Sequence, residues 1–194
     1  RTASTFLKAW RISNFEFIPK ELYFLSLRNN KLTSFIGSDN MICRIVDVSY
    51  NQITSFSTFK FTTIREFDIS HNRIKNFEGF YFIYIKFLNC SFNEIENLIG
   101  TPELIGQDFD CSFNKLDTLK STTKTVQGNL YCKGNNLKTL EGIPLVLGDI
   151  NCSNNELISL EGITNDKIKS FNCENNHLTD LKHLPKFCEG DLNC

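Results

Sequence analysis

Carboxylates and thiols are the side chains whose spacing in this sequence could do chemistry. Glu66 and Asp68 stand two residues apart, as do Asp108 and Asp110. On an extended strand that spacing puts both carboxylates on one face. Such pairs serve calcium binding or glycoside hydrolysis, but rows of acids on a sheet are commonly just solvated. Six of the eight cysteines, Cys90, Cys111, Cys132, Cys152, Cys173 and Cys194, follow one another at intervals of 20 or 21 residues. One thiol per period indicates a column of buried free thiols acting as small hydrophobes. Free thiols at that density favour a reducing, intracellular compartment. A disulfide framework and a soft-metal column are the alternatives. His177, His183, Cys188 and Cys194 have a zinc-like spacing, yet Cys194 belongs to the thiol column while His183 falls on the opposite side of the period. None of the histidines, His71, His177 and His183, is placed beside a nucleophile and an acid. No Gly-rich phosphate loop follows a strand. The expectation is no enzyme, no metal and no cofactor.

What positions these groups is an internal repeat. Asn30, Asn51, Asn72, Asn93, Asn114, Asn135, Asn155 and Asn176 are separated by 21 residues six times and by 20 once. Around each stands the same apolar frame, as in Leu147-x-x-Ile150-x-Cys152-x-x-Asn155-x-Leu157-x-x-Leu160. The alternation before each asparagine has the period of two of a strand with one buried face. One such strand cannot bury that face alone, and stacked neighbours build a continuous core. Parallel neighbours need long crossovers, which the rest of each period supplies. The asparagine amide carries both donor and acceptor, so a stacked row of them can satisfy buried backbone groups where the strand turns inward.

The frame resembles the leucine-rich repeat family, whose core reads LxxLxLxxNxLxxL, over roughly residues 22 to 194. The resemblance implies a repeat solenoid, a horseshoe with a concave parallel β-sheet, and it implies a binding module that presents that face to protein partners. The short unit is similar to repeats of bacterial effectors and of bacteriophage or giant-virus proteins. Twenty-one residues leave little room for convex helix, so extended or brief 3₁₀ segments are expected. Gly and Pro in Leu140-Glu141-Gly142-Ile143-Pro144 and its equivalents agree with that. Eight full repeats and the start of a ninth, Leu192-x-Cys194, form one continuous array over 22–194, expected to continue further. Residues 1–21, with Trp10, Phe15, Phe17 and Pro19, do not fit the frame and read as an N-terminal cap.

The totals exclude some functions. With 21 basic and 22 acidic residues there is no basic footprint for nucleic acid. The apolar run from Phe80 to Ile85 is far short of the ~20 residues of a membrane helix.

Residues between the core positions point outward on the concave face. There eight acids (Asp47, Glu66, Asp68, Asp108, Asp110, Asp149, Glu174, Asp191) face only Arg28 and Lys133. Just before the asparagines comes an aromatic row, Tyr50, His71, Phe92 and Phe113. Asp47, Tyr50, Glu66, Asp68, His71, Phe92, Asp108, Asp110 and Phe113 are therefore the candidate partner-binding residues. An acidic strip beside aromatic anchors suits a protein partner with a basic segment, not nucleic acid and not a membrane. The expected function is non-enzymatic protein–protein interaction. The alternatives are a structural component of a larger, possibly virion, assembly and the recognition arm of a larger effector enzyme.

Overall fold

Each apolar alternation folds as a short strand lying parallel to the strand one coil away. The computed structural model describes residues 11–194 and the backbone course of 3–6. The main, ten-stranded sheet is built from β1 (Ala3–Phe6), β2 (Glu21–Ser26), β3 (Ile42–Asp47), β4 (Glu66–Asp68), β6 (Phe87–Asn89), β8 (Phe109–Asp110), β10 (Leu130–Tyr131), β12 (Ile150–Asn151), β14 (Phe171–Asn172) and β16 (Leu192–Asn193), in that order. The connections carry a four-stranded ribbon of β5 (Tyr84–Ile85), β7 (Leu104–Ile105), β9 (Thr125–Val126) and β11 (Leu145–Val146), and a pair, β13 (Lys167–Ile168) with β15 (Phe187–Cys188). No described residue is helical. The fold is thus a parallel leucine-rich-repeat solenoid. Its 21-residue period is used up by strand, turn and a return leg too short to wind.

Register keeps like residues on like. Val46, Phe67, Leu88, Phe109, Leu130, Ile150 and Phe171 are successive ladder partners, and all are buried. A second interior file holds Phe35, Phe56, Phe77, Leu98, Leu119, Leu140 and Leu160. In its first half the rings stack, Phe35 on Phe56 at 5.6 Å and Phe56 on Phe77 at 5.5 Å between centroids. Phe59 and Phe80 pack edgewise or tilted against them, as aromatic quadrupoles favour. Leucine takes over from Leu98 onward, so the aromatic and aliphatic halves share one core.

The asparagines bind each coil to the one before. Asn114 Oδ1 accepts the Ile95 N–H at 3.0 Å, while its Nδ2 donates to the carbonyls of Cys90 and Cys111, both at 3.0 Å. Asn51, Asn72, Asn93, Asn135 and Asn176 repeat that pattern. Asn155 accepts from both Leu137 and Asn135. At the first unit, Asn30 Oδ1 takes the Ile12 N–H instead.

One expectation needs adjusting. Cys173 and Cys194 form a disulfide with Cα atoms 4.5 Å apart, so the thiol column is not free along its whole length. Stacking one residue type at one register position brings Cα atoms as close as a disulfide requires. Cys90, Cys111, Cys132 and Cys152 are buried free thiols. Toward the N-terminus, β1 pairs in parallel with β2, so residues that do not match the frame still extend the sheet. Phe15 and Ile18 are part of the core, and Phe15 stacks on Phe35 at 5.9 Å. Trp10 lies outside the described residues.

Candidate functional site on the concave face

Asp47, Asp68, Asn89, Asp110, Tyr131, Asn151, Asn172 and Asn193 are ladder partners in succession, one column across the sheet. Each carboxylate in it is partly engaged by its own chain. Asp47 Oδ1 accepts the Ser49 N–H at 3.0 Å and the Ser49 hydroxyl at 2.6 Å. Asp68 and Asp110 accept the N–H of Ser70 and Ser112, both at 2.9 Å. Asn89, Asn151 and Asn172 do the same through their amide oxygens. These are Asx turns that close the strand exit. Asp and Asn are therefore interchangeable for the turn but not for the charge.

The charge is crowded. Burial, with Asp68 and Asp108 nearby, holds the Asp110 carboxyl above the usual aspartate range despite the two bonds from Ser112. Asn89 stands between Asp68 and Asp110, and its Nδ2 donates to Asp68 Oδ2 at 3.4 Å. Asp108 Oδ1 takes the Asn129 N–H at 2.8 Å. Among the described residues no lysine or arginine forms an ion pair with Asp47, Asp68, Asp108 or Asp110. Glu66 is different: Lys86 Nζ lies 2.7 Å from its Oε1.

The four rings form a ladder of their own. Tyr50 stacks on His71 at 3.9 Å, His71 on Phe92 at 4.3 Å, and Phe92 on Phe113 at 4.4 Å, all within 18° of parallel. Arg28 covers the outer face of Tyr50 at 4.2 Å, and the Lys133 ammonium lies 5.8 Å from the Phe113 centroid. Their faces are thus occupied, yet Tyr50 (41%), Phe92 (44%) and Phe113 (39%) stay exposed, which leaves the ring edges as the part open to a partner. Next in the column is Gly134, at φ +66°, where a Cβ would sit 2.6 Å from the Phe113 ring. Burial and then Arg28 hold the His71 imidazole below the usual histidine range.

All four rings sit on left-handed backbone, with φ from 53° to 55°. Asn29, Asn154, Asn175 and Gly134 fill the same position in other coils, and those types tolerate it. Bulky rings there cost ~1–3 kcal/mol each, offset in part by stacking worth ~0.5–1.5 kcal/mol per pair.

A basic column stands beside the acids, in addition to the residues expected from the sequence. Arg44, Arg65 and Lys86 recur at 21 residues on the other side of the acidic strip. The Arg44 guanidinium lies 5.8 Å from the Tyr23 ring centroid, and Lys86 holds Glu66. The periodicity that placed the acids would have revealed them. The face is therefore banded: a basic row, a half-buried row containing Phe24, Ile45 and Phe87, the carboxylates, then ring edges.

The coil architecture is similar to that of YopM from Yersinia enterocolitica WA-314, with a TM-score of 0.52 and 20% sequence identity over 90% of this chain. The chain spans 46% of that protein, and a likeness at this identity is one of fold. No family model matches the sequence, and no curated protein matches it either. Among the described residues no helix is long and apolar enough to cross a membrane.

Proposed function

We propose that this chain is a non-enzymatic protein-interaction module whose concave face holds a basic segment of a protein partner. A leucine-rich-repeat solenoid typically serves as an interaction scaffold, and the residues at work are Asp47, Asp68, Asp108 and Asp110 beside the edges of Tyr50, His71, Phe92 and Phe113. One observation carries this reading: a row of carboxylates with no cation paired to it among the described residues, placed where burial already disfavours the charge on Asp110. Asparagine would make the same turn, as it does at Asn89 and Asn151. At Asp110 the carboxylate stands at a cost to folding, and electrostatic complementarity to a cationic partner offsets such a cost on binding. Because the ring faces are covered, a partner meets the ladder edge-on, through apolar side chains, while its cations go to the carboxylates. Residues 1–21 are proposed as the cap of the array.

The test is affinity capture from the source cell with the wild-type chain and with the Asp68→Lys/Asp110→Lys variant. A partner that elutes with salt from the first and is lost from the second, at unchanged thermal unfolding, supports the assignment. Equal capture with the same salt dependence refutes it.

A further inference from the structure

One register position is held by cysteine in six successive coils, and only its last two members are bonded. The backbone treats all five links between them alike. The N–H of Cys90 donates to Asp110 O at 2.8 Å, that of Cys111 to Tyr131 O at 2.8 Å, and that of Cys132 to Asn151 O at 2.9 Å. Cys152 donates to Asn172 O at 2.8 Å and Cys173 to Asn193 O at 2.6 Å. The fifth link is the one that carries the disulfide, across a Cα separation of 4.5 Å. Neighbouring strands stand about 4.7–4.9 Å apart, inside the span of roughly 4.4–6.8 Å that a disulfide accepts.

The sulfurs also point the right way. Cys90, Cys132 and Cys152 donate their S–H to the carbonyl just before the next cysteine, at 3.3, 3.5 and 3.3 Å. Each thiol is thus aimed along the column at its successor. Burial raises the thiols of Cys90, Cys111 and Cys132 well above their ordinary range, and neighbouring thiolates add to this at Cys111 and Cys132. Free Cys43 and Cys188 stand at another register position, outside this file.

We infer that the cysteine column is a series of in-register disulfide sites, which close pairwise as Cys90–Cys111 and Cys132–Cys152 beside Cys173–Cys194 when the chain folds with a disulfide oxidant. The pairing follows from order alone. With Cys173 and Cys194 joined, four thiols stand in a row, and joining Cys111 to Cys132 would strand one at each end. Oxidised glutathione is a sufficient oxidant. A protein thiolate attacks it, releasing one reduced glutathione; the neighbouring thiolate then attacks the protein sulfur of that mixed disulfide, releasing a second. Two electrons pass to the glutathione sulfurs, which take up the two thiol protons. Closing during folding also avoids the burial that shields these thiols in the finished coil.

The reduced, unfolded chain is refolded in a glutathione redox buffer, remaining thiols are alkylated in denaturant, and linked peptides are mapped by mass spectrometry without reduction. The expected map holds Cys90–Cys111, Cys132–Cys152 and Cys173–Cys194, with a urea midpoint that falls back when dithiothreitol is added. Alkylation of all four inner cysteines overturns the inference, as do links that skip a coil or reach Cys43 or Cys188. A Cys194→Ser variant checks that the links are equivalent. It leaves five cysteines in a row, and a Cys152–Cys173 peptide, absent from the wild type, is expected; its absence would refute that equivalence.

Discussion

The imidazole of His71 lies flat against the phenol ring of Tyr50, centroids 3.9 Å apart and planes 16° from parallel. Phe92 closes the other side at 4.3 Å, so a titratable ring is the filling of an aromatic stack. Burial and Arg28 favour its neutral form, against a smaller opposite pull from Asp68. Its folded pKa is thus below the unfolded 6.5. The stability this contributes is complete above that pH and is lost as pH falls through the folded value. His71→Phe, which restores a purely aromatic stack, is expected to stabilise by ~0.5–1.5 kcal/mol. The gain should be larger in acid than at neutral pH. Urea titrations of both proteins on either side of pH 6.5 would measure it, and a gain independent of pH would show that the stack does not depress the imidazole.

Asp110 shifts with the opposite sign. Its folded pKa is raised above 3.8, first by burial, so the folded state holds the proton more tightly than the unfolded chain does. Stability therefore falls as pH rises from 3.8 through the folded value. Asp110→Asn keeps the acceptor for the Ser112 N–H and removes the charge. It should raise the urea midpoint at pH 7 and lose that advantage in strong acid. A variant less stable at every pH would mean the bond to Ser112 requires the carboxylate.

The solenoid was legible because its cause is periodic. A strand buried on one face, an amide at the turn and a thiol at one position each recur at 21 residues, and recurrence fixes register. Register says which residues face outward, but it does not set their torsion angles. Asp47, Asp68 and Asp110 therefore read as a charged strip, although each also closes an Asx turn. Tyr50, His71, Phe92 and Phe113 read as anchors for a partner, although their faces are used up on one another. The pairing of Cys173 with Cys194 was hidden because register brings every neighbouring pair in the column equally close. It therefore does not say which pair is oxidised. Arg44 and Arg65 lie one residue before the outward positions of Ile45 and Glu66, outside the alternation with the core that marks the outward columns.

Asn93 reaches back to Ile74 N at 2.9 Å and to Ile69 O at 3.0 Å, across a coil boundary. Removing the amide strands buried backbone groups on two coils at once. Asn93→Ala is expected to cost ~1–3 kcal/mol, and Asn114→Ala the same by the same geometry. Asn30→Ala should cost less, because among the described residues its Nδ2 bonds only Leu27 and Arg28 of its own coil, leaving the Ile12 N–H on its Oδ1 as the link to the preceding segment. Urea midpoints that do not separate the inner asparagines from Asn30 would show that the Nδ2 bonds between coils contribute nothing beyond the local turn.

Lys86 separates folding from binding on the same face. Its bridge to Glu66 is short, at 2.7 Å, but both side chains are substantially exposed to water, and exposed pairs contribute little to stability. Lys86→Ala should therefore leave the urea midpoint nearly unchanged. It also uncovers Glu66, which borders the row of Asp47 and Asp68, and makes the concave face more negative. If a basic segment is what this face holds, the variant should bind a lysine-containing peptide more tightly than the wild type at low salt, with the difference shrinking as salt is added. Arg65→Ala is the companion test, since it removes a neighbouring positive charge with no ion pair to break among the described residues. Fluorescence anisotropy across a salt series measures both. Tighter binding in both variants would assign the effect to the charge of the face. Tighter binding in Lys86→Ala alone would assign it to the freed Glu66 carboxylate. Unchanged binding in both would mean that the basic row lies outside the contact.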